Sequence, residues 1–167
     1  MSVGRPAARV ADNVAHPLPP VLGPGPGSPN VQIGLKPAWR GVLAAAAAHL
    51  QAAKQVADTA IQTAEAATLA AAGTPGAGAA KAAEETTKAQ CAAEMARTIG
   101  NSAGGADIHN CAVLLPSPPH GPGVVIDGSQ SVLINNLTAC RMGDTILEAV
   151  GPPNKITLGE TAVLVGG

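Results

Sequence analysis

One stretch near the N-terminus decides the fold, because related stretches recur twice along the chain. It reads Pro6-Ala7-Ala8-Arg9-Val10-Ala11-Asp12, and its fullest copy reads Thr138-Ala139-Cys140-Arg141-Met142-Gly143-Asp144. A shorter copy, Pro37-Ala38-Trp39-Arg40-Gly41, stops before any aspartate. Repetition of this kind indicates one small structural unit that the chain uses several times.

A second shared segment lies downstream of each aspartate. It begins with glycine and a polar residue, continues as a short β-branched run, and occurs at residues 27–34, 128–135 and 159–166. The spacing from aspartate to glycine is 15 residues in the first and third units and 21 in the second, where the aspartate is Asp107. The pattern predicts three repeats of short strands, the second with about six extra loop residues.

The second repeat is interrupted by an Ala-rich block that predicts two helices. Residues 42–72 contain no glycine or proline and favour one long helix. Residues 73–76 predict a turn, residues 79–99 a second helix, and residues 100–105 a flexible exit. The residues that we expect on the buried faces of these helices are Leu43, Leu50 and Ile61 in the first and Ala89, Ala92, Ala96 and Ile99 in the second.

The chain therefore divides into a discontinuous β part, residues 1–41 and 105–167, and an inserted helical hairpin, residues 42–104. Three glycine-rich units favour a small, tapered, mainly β fold with pseudo-threefold symmetry, and they do not suit an open sheet with a cleft. Two interpretations of the hairpin remain open. It is either a spacer that adds solubility or a docking surface for a partner.

The composition excludes several functional classes. The 167 residues carry a net charge of −1 and a single aromatic residue, Trp39, so neither phosphate attraction nor base stacking favours nucleic-acid binding. The apolar stretch 41–53 is too short to span a bilayer, and the proline-broken segment 1–22 lacks the apolar region of a secretory signal peptide. Three irregularly spaced cysteines indicate folding in a reducing cytosol.

Four residues of metal-ligand type lie in the β part, at His16, His109, Cys111 and His120. His16 follows Asp12 by four residues and Cys111 follows Asp107 by four, so they occupy equivalent positions in successive repeats. Three imidazoles and one thiolate would complete a closed tetrahedral Zn²⁺ shell, which is typical of structural sites. A bound metal would supply stability to a chain nearly free of aromatic residues.

Four further residues of ligand type receive other roles in this interpretation. We expect His49 at the helix surface, and we expect Cys91 and Cys140 to act as packing residues. Glu148 takes the equivalent position in the third repeat, four residues after Asp144. It is a competing donor, but the other four residues are the better ligands.

These motifs resemble those of PAAR-repeat proteins. The resemblance rests on Pro6-Ala7-Ala8-Arg9-Val10-Ala11-Asp12, Gly27-Ser28-Pro29-Asn30-Val31, Asp107-Ile108-His109-Asn110-Cys111, Pro119-His120-Gly121-Pro122-Gly123 and Ala139-Cys140-Arg141-Met142-Gly143-Asp144. It covers both β segments and leaves the hairpin unmatched. The first motif departs from the family, which has glycine before the aspartate where this chain has Ala11.

The resemblance implies a conical tip that caps the trimeric VgrG-type spike of a contractile injection machine, such as a bacterial type VI secretion system. It implies one copy per spike trimer, and a zinc at the apex bound by His16, His109, Cys111 and His120. At the broad base, we expect six side chains to alternate between the interior and the spike-facing side: Val31, Ile33, Val132, Ile134, Val163 and Val165. The protein would be assembled in the bacterial cytoplasm and delivered with the spike, without a signal peptide or stable membrane insertion.

In PAAR-repeat proteins a toxin domain often follows the last repeat. No such domain is expected here, because the sequence ends at Gly167, directly after the third β segment. Any effector, adaptor or chaperone would therefore be bound, and the hairpin is the expected place.

Two alternatives to a non-enzymatic spike tip remain open. The first is a stand-alone secreted effector with its activity in the hairpin, where polar clusters of catalytic type are missing from the sequence. The second is a zinc hydrolase with Glu148 or Asp107 as general base, which would need an open metal position and a pocket.

Overall fold

The computed structural model describes residues 4–114 and 118–167. The first three residues of the predicted β segment 1–41, and residues 115–117 of segment 105–167, lie outside the described residues. The strands are β1 (Arg5–Ala7), β2 (Gln32–Ile33), β3 (Lys36–Pro37), β4 (Arg40–Gly41), β5 (Ile108–Cys111), β6 (Gly121–Val125), β7 (Leu133–Ile134), β8 (Leu137–Ala139), β9 (Thr145–Glu148), β10 (Asn154–Lys155) and β11 (Glu160–Val165). The helices are α1 (Ala44–Ala70) and α2 (Ala77–Ser102).

The fold is mixed α and β, and the prediction of a mainly β fold is wrong in this respect. Of the described residues, 33% are helical and 27% are in strands or bridges, because the two long helices of the hairpin contain more residues than the short strands. All strand pairs among the described residues are antiparallel.

A ring of three backbone hydrogen bonds relates the three repeats. The amide of Ala8 donates to the carbonyl of Cys140 at 2.9 Å, that of Trp39 to Ala8 at 2.9 Å, and that of Cys140 to Trp39 at 3.1 Å. These residues hold the same place in the three related stretches of the sequence. A closed cycle among equivalent residues indicates a pseudo-threefold axis through the ring.

Each repeat contains the same arginine–aspartate pair. In all three, the backbone amide of the arginine donates to the aspartate at 2.8 Å, and the guanidinium donates to the same carboxylate; the pairs are Arg9–Asp12, Arg40–Asp107 and Arg141–Asp144. In the second repeat the amide of Asp107 also donates to the carbonyl of Arg40 at 2.9 Å. The sequence assignment of Asp107 to this repeat is therefore correct, and the chain enters and leaves the hairpin at adjacent points.

The repeats close on one another in a cycle. Strand β2 pairs with β3 and β7 with β8, so the tail of each repeat contacts the start of the next, and β11 pairs with β1 to join the third repeat to the first. The turns of these two β-hairpins have two residues each, Gly34-Leu35 and Asn135-Asn136, and all four residues have positive φ. Such turns match the twist of antiparallel strands.

Buried side chains form layers along the pseudo-threefold axis. One layer below the ring contains Ala7, Ala38 and Ala139 together with Ile33, Ile134 and Val165. A second layer contains the side chains of the ring residues Ala8, Trp39 and Cys140, together with Val14, Leu22, Val125, Ile146 and Ile156. The predicted core position of Cys140 is confirmed by its complete burial.

The hairpin packs on one face of the four-stranded sheet, which has the order β10-β9-β6-β5. Leu50 of α1 and Met95 and Ile99 of α2 join Val124 and Leu147 of the sheet in one apolar cluster. Alternate residues on β5, β6 and β9 face the other way, into the β part. The sheet therefore separates the hairpin from the axis of the repeats.

The helix predictions hold for the existence of both helices and fail in detail. The second helix extends through Gly100, which the sequence analysis places in a flexible exit. Its buried residues are Glu84, Lys88, Met95 and Ile99. On the predicted small-residue face Ile99 is buried and Ala92 and Ala96 are partly buried, but Ala89 is exposed, so the prediction is wrong at that position. Leu43 precedes α1 and is half exposed, whereas His49 is exposed as predicted. Within the described residues, no helix is both long and apolar enough to cross a membrane.

Candidate metal centre

Strand register brings three ligand-type residues to one face of the sheet. His109 of β5 pairs with Gly123 of β6, and Gly123 pairs with Glu148 of β9. Two residues further along β5, Cys111 pairs with Gly121. Since residues two apart lie on the same face of a strand, His109, Cys111 and Glu148 all face the interior of the β part.

Glycines on the central strand leave the room between these side chains. A Cβ atom added at Gly123 would lie 2.8 Å from Cγ2 of Ile146 and 2.9 Å from Cγ of Glu148. A larger residue there would therefore displace the Glu148 side chain. Gly123 thus has a packing role beside the candidate metal donors.

Four donors lie close enough to surround one ion. A ligand atom from each of His16, Cys111, His120 and Glu148 lies within 4.8 Å of the others. Oε2 of Glu148 lies 2.7 Å from Nδ1 of His120 and 3.1 Å from Nδ1 of His16, and Sγ of Cys111 lies 3.5 Å from Nδ1 of His16. Separations of this size are those between neighbouring ligands of a small tetrahedral ion whose bonds measure about 2.0–2.3 Å.

The donors are buried, and a glycine shapes the pocket around one of them. His120, Cys111 and Glu148 are buried, and His16 is largely so. The His120 ring stacks edge-on against His16, with ring centroids 4.9 Å apart. Gly151 has φ of +79°, and a Cβ there would come within 2.5 Å of Nε2 of His120.

His109 is buried next to the four donors but is not one of them. Neither ring nitrogen has a hydrogen-bond partner among the described residues. Burial lowers the pKa of His109, and the nearby His16 lowers it further, while the Gly23 backbone opposes the shift. The ring therefore stays neutral near pH 7, which is the form that binds metals.

The Cys111 thiol is held protonated while no cation is present. Burial raises its pKa, and the carboxylate of Glu148 raises it further, against an opposing effect of the Val113 backbone. A dication among these donors would instead favour the deprotonated Cys111, because the thiolate is the form that coordinates a metal. Metal binding would accordingly release a proton from the site.

The structure thus brings together three of the four predicted ligands, His16, Cys111 and His120, and adds Glu148 in the place expected for His109. The signal for Glu148 is present in the sequence, since it follows Asp144 by the same four residues that separate His16 and Cys111 from their aspartates. Asp107, the other residue considered as a general base, is occupied by Arg40 and by the amide of Gly27.

A second surface of interest lies at the opposite end of the axis. The segments at 31–33, 132–134 and 163–165 lie beside the alanine layer. The exposed apolar residues here, which we term the base patch, are Leu35, Val132, Leu133, Val163 and Leu164. Ile33, Ile134 and Val165 are buried in the same segments, and Val31 is partly buried.

No protein-family model matches the sequence, and no curated protein or solved structure is significantly similar to it. The resemblance to PAAR-repeat proteins therefore stays a prediction that rests on the motifs.

Proposed function

We propose that this protein is the non-enzymatic, metal-stabilised tip of a contractile injection machine, and that it caps a trimeric VgrG-type spike. The observation that carries the proposal is the cyclic hydrogen-bond ring of Ala8, Trp39 and Cys140. A single chain with pseudo-threefold symmetry can present three similar surfaces to the three chains of a symmetric trimer.

The base patch is the surface that would contact the spike. Leu35 is 92% exposed at a turn position with positive φ, where leucine is strained. An exposed leucine at a strained position does not stabilise the isolated chain, but its burial against a partner would stabilise the complex. The patch surrounds the same axis as the ring, so it is placed to contact all three spike chains.

We further propose that the buried cluster holds zinc with a structural role. A tetrahedral set of thiolate, imidazole and carboxylate donors is typical of zinc sites. The donors close around one point and are almost entirely buried, whereas a catalytic metal needs a position open to substrate. In this proposal the metal stiffens the end of the cone that lies opposite the base patch.

The hairpin is the proposed place for an effector, adaptor or chaperone. Val56 and Leu69 are largely exposed on α1. The protein would be assembled in the bacterial cytoplasm and would leave the cell with the spike. A partner bound to the hairpin would be carried along.

Light scattering on a size-exclusion column tests the capping proposal. The full-length chain is mixed with a VgrG-type spike trimer encoded beside it, and the mass of the complex gives the ratio. We expect one copy for three spike chains, and we expect Leu133→Glu in the base patch to abolish the complex. Leu69→Glu, which changes a leucine on the hairpin that is also exposed, is the control and should bind normally.

Separate elution of the wild-type chain and the spike trimer at micromolar concentration would contradict the capping proposal. So would a complex that Leu133→Glu leaves intact and Leu69→Glu disrupts, because the contact would then lie on the hairpin.

A further inference from the structure

We infer that Glu148 is itself a ligand of the metal, so that the centre is built from two imidazoles, one thiolate and one carboxylate. The inference rests on the metal-binding part of the proposed function, and it changes the donor set from three imidazoles and a thiolate. Three independent features of the structure lead to it.

The first feature is the symmetry of the repeats. His16, Cys111 and Glu148 follow their aspartates by four residues, so each repeat contributes one donor from the same position. Three equivalent positions around a pseudo-threefold axis converge on the axis. His120 then comes from the longer loop of the second repeat and supplies the fourth donor.

The same comparison gives His109 a different place. It follows Asp107 by two residues, and the equivalent residues of the other repeats are Val14 and Ile146. Both of these are buried in the apolar layer above the ring. His109 thus occupies a core position, two residues before the donor Cys111 on the same strand.

The second feature is the charge of the site. The Glu148 side chain is completely buried, and its ion-pair partners among the described residues are the imidazoles of His16 and His120. No lysine or arginine within that part of the chain pairs with it. A buried carboxylate needs a compensating positive charge, and a dication between Glu148 and the Cys111 thiolate would leave the centre neutral.

The third feature is an unused oxygen. Oε2 of Glu148 contacts both imidazoles, but Oε1 is buried with no hydrogen-bond partner among the described residues. Leaving such an acceptor unpaired in a protein interior is unfavourable. Coordination of a cation by the carboxylate would give Oε1 the partner that it lacks.

Cobalt titration of the metal-free, full-length chain tests the assignment. Co²⁺ replaces zinc at such sites, its thiolate charge-transfer band reports coordination by Cys111, and its d–d bands report the donor set. We expect Glu148→Gln, which keeps the shape and removes the charge, to weaken Co²⁺ binding by more than the roughly 10–100-fold typical of losing a supporting residue. The d–d bands should also shift, because the carboxylate oxygen is lost.

His109→Val is the matched variant, because it installs the residue that the first repeat carries at Val14. We expect it to bind Co²⁺ within a few-fold of the wild-type affinity and with unchanged bands. Wild-type bands and affinity in Glu148→Gln, with loss of binding in His109→Val, would overturn the inference and assign the fourth position to His109.

If Glu148→Gln does not fold, Glu148→His decides the question. This variant offers an imidazole at the same position, so it should bind Co²⁺ with d–d bands shifted from those of the wild type. Unchanged bands would overturn the inference. Failure of the metal-binding proposal itself has a different signature, since the wild-type chain would then show no cobalt bands.

Discussion

Gly151 holds His120 in place beside the other donors. The added Cβ of an alanine would meet the His120 ring at 2.5 Å, and the positive φ disfavours any side chain at this position. The His120 ring must therefore move if Gly151 is replaced. This makes Gly151 a positioning residue for the centre, although it offers no ligand atom.

We expect Gly151→Ala to lower both stability and metal affinity. The left-handed backbone alone costs about 1–2 kcal/mol, and displacement of His120 should weaken zinc binding by roughly 10-fold or more. Gly23→Ala is the control, because a Cβ there would meet nothing within 4 Å. Zinc competition with a chromophoric chelator measures the affinities. Equal affinity for the two variants would mean that His120 is not a ligand.

Ala11 is a second residue with a strained backbone. It has φ of +64° directly before Asp12, where the third repeat carries Gly143 with φ of +88°. We expect Ala11→Gly to stabilise the chain by about 0.5–1 kcal/mol, because relief of strain outweighs the added entropy of the unfolded state. Gly143→Ala should destabilise it by at least as much. Urea unfolding measures both, and a lower midpoint for Ala11→Gly would contradict the repeat alignment.

The sequence predicts the residue types that the structure brings together. His16, Cys111 and His120 are recognisable from residue type and repeat position. Glu148 holds the equivalent position in the third repeat, but residue type alone ranks it lower, because imidazole and thiolate are the stronger zinc ligands. Its proximity depends on the register of three strands and on the space beside Gly123, and pairwise register of short strands is not readable from residue types.

At the scale of elements, the hairpin is attached to the β part through apolar packing on the sheet. Leu50 is fully buried among Val124, Leu147 and Ile99. We expect Leu50→Ala to cost about 2–4 kcal/mol of unfolding free energy. Leu69→Ala on the same helix is the control and should cost under about 0.5 kcal/mol, since Leu69 is 78% exposed. Equal costs, measured by denaturant unfolding, would contradict the packing of α1 on the sheet.

The two helices are joined by a cluster of charges near their far end. Glu84 accepts hydrogen bonds from Lys88 and Lys81, and Lys88 also pairs with Glu65. The hydrogen bond from Lys88, followed by the weaker effect of the one from Lys81, lowers the pKa of Glu84 to about 2. A depressed pKa in the folded state means that ionised Glu84 stabilises the fold above its unfolded pKa of about 4.3.

That contribution should be lost as the pH falls from about 4.5 to 2. We expect thermal melts of the wild type to show this acid-sensitive step and those of Glu84→Gln to lack it. Glu85→Gln, which changes the exposed neighbour, should keep the step. An acid limb that is identical in all three proteins would show that the charge cluster does not link the helices.

Helix existence is readable from composition, and helix packing only in part, at Leu50, Ile61 and Ile99. A run of 27 helical residues without glycine or proline is a strong local signal. The predicted small-residue face is wrong at Ala89, because α2 buries Glu84 and Lys88, whose charges compensate each other. Pairing between charges on two helices depends on their relative rotation, which alanine-rich faces leave undetermined.

At the scale of the whole molecule, three unequal repeats form one closed cycle. The pairing of β11 with β1 joins the ends of the β part, and the arginine–aspartate pair of the second repeat survives an insertion of two long helices. The repeat pattern predicted this arrangement, because each unit contains the same contacts. The mainly β label is wrong, since the two predicted helices contain more residues than the short strands.

The layers along the axis connect the structure to the proposed function. Along the axis, the base patch comes first and the alanine layer second. The hydrogen-bonded ring with its apolar layer around Trp39 is third, and the donors come last. With few large side chains, such a stack has little apolar area to stabilise its narrow end. A metal bound by one donor from each repeat would join the three repeats at that point.

The metal content of the purified wild-type chain tests this central claim most directly. Elemental mass spectrometry should find about one zinc per chain, and removal of the zinc by a chelator should lower the melting temperature. Protein that binds no zinc after exposure to excess zinc, and melts at the same temperature with and without chelator, would contradict the claim that the three repeats converge on a metal.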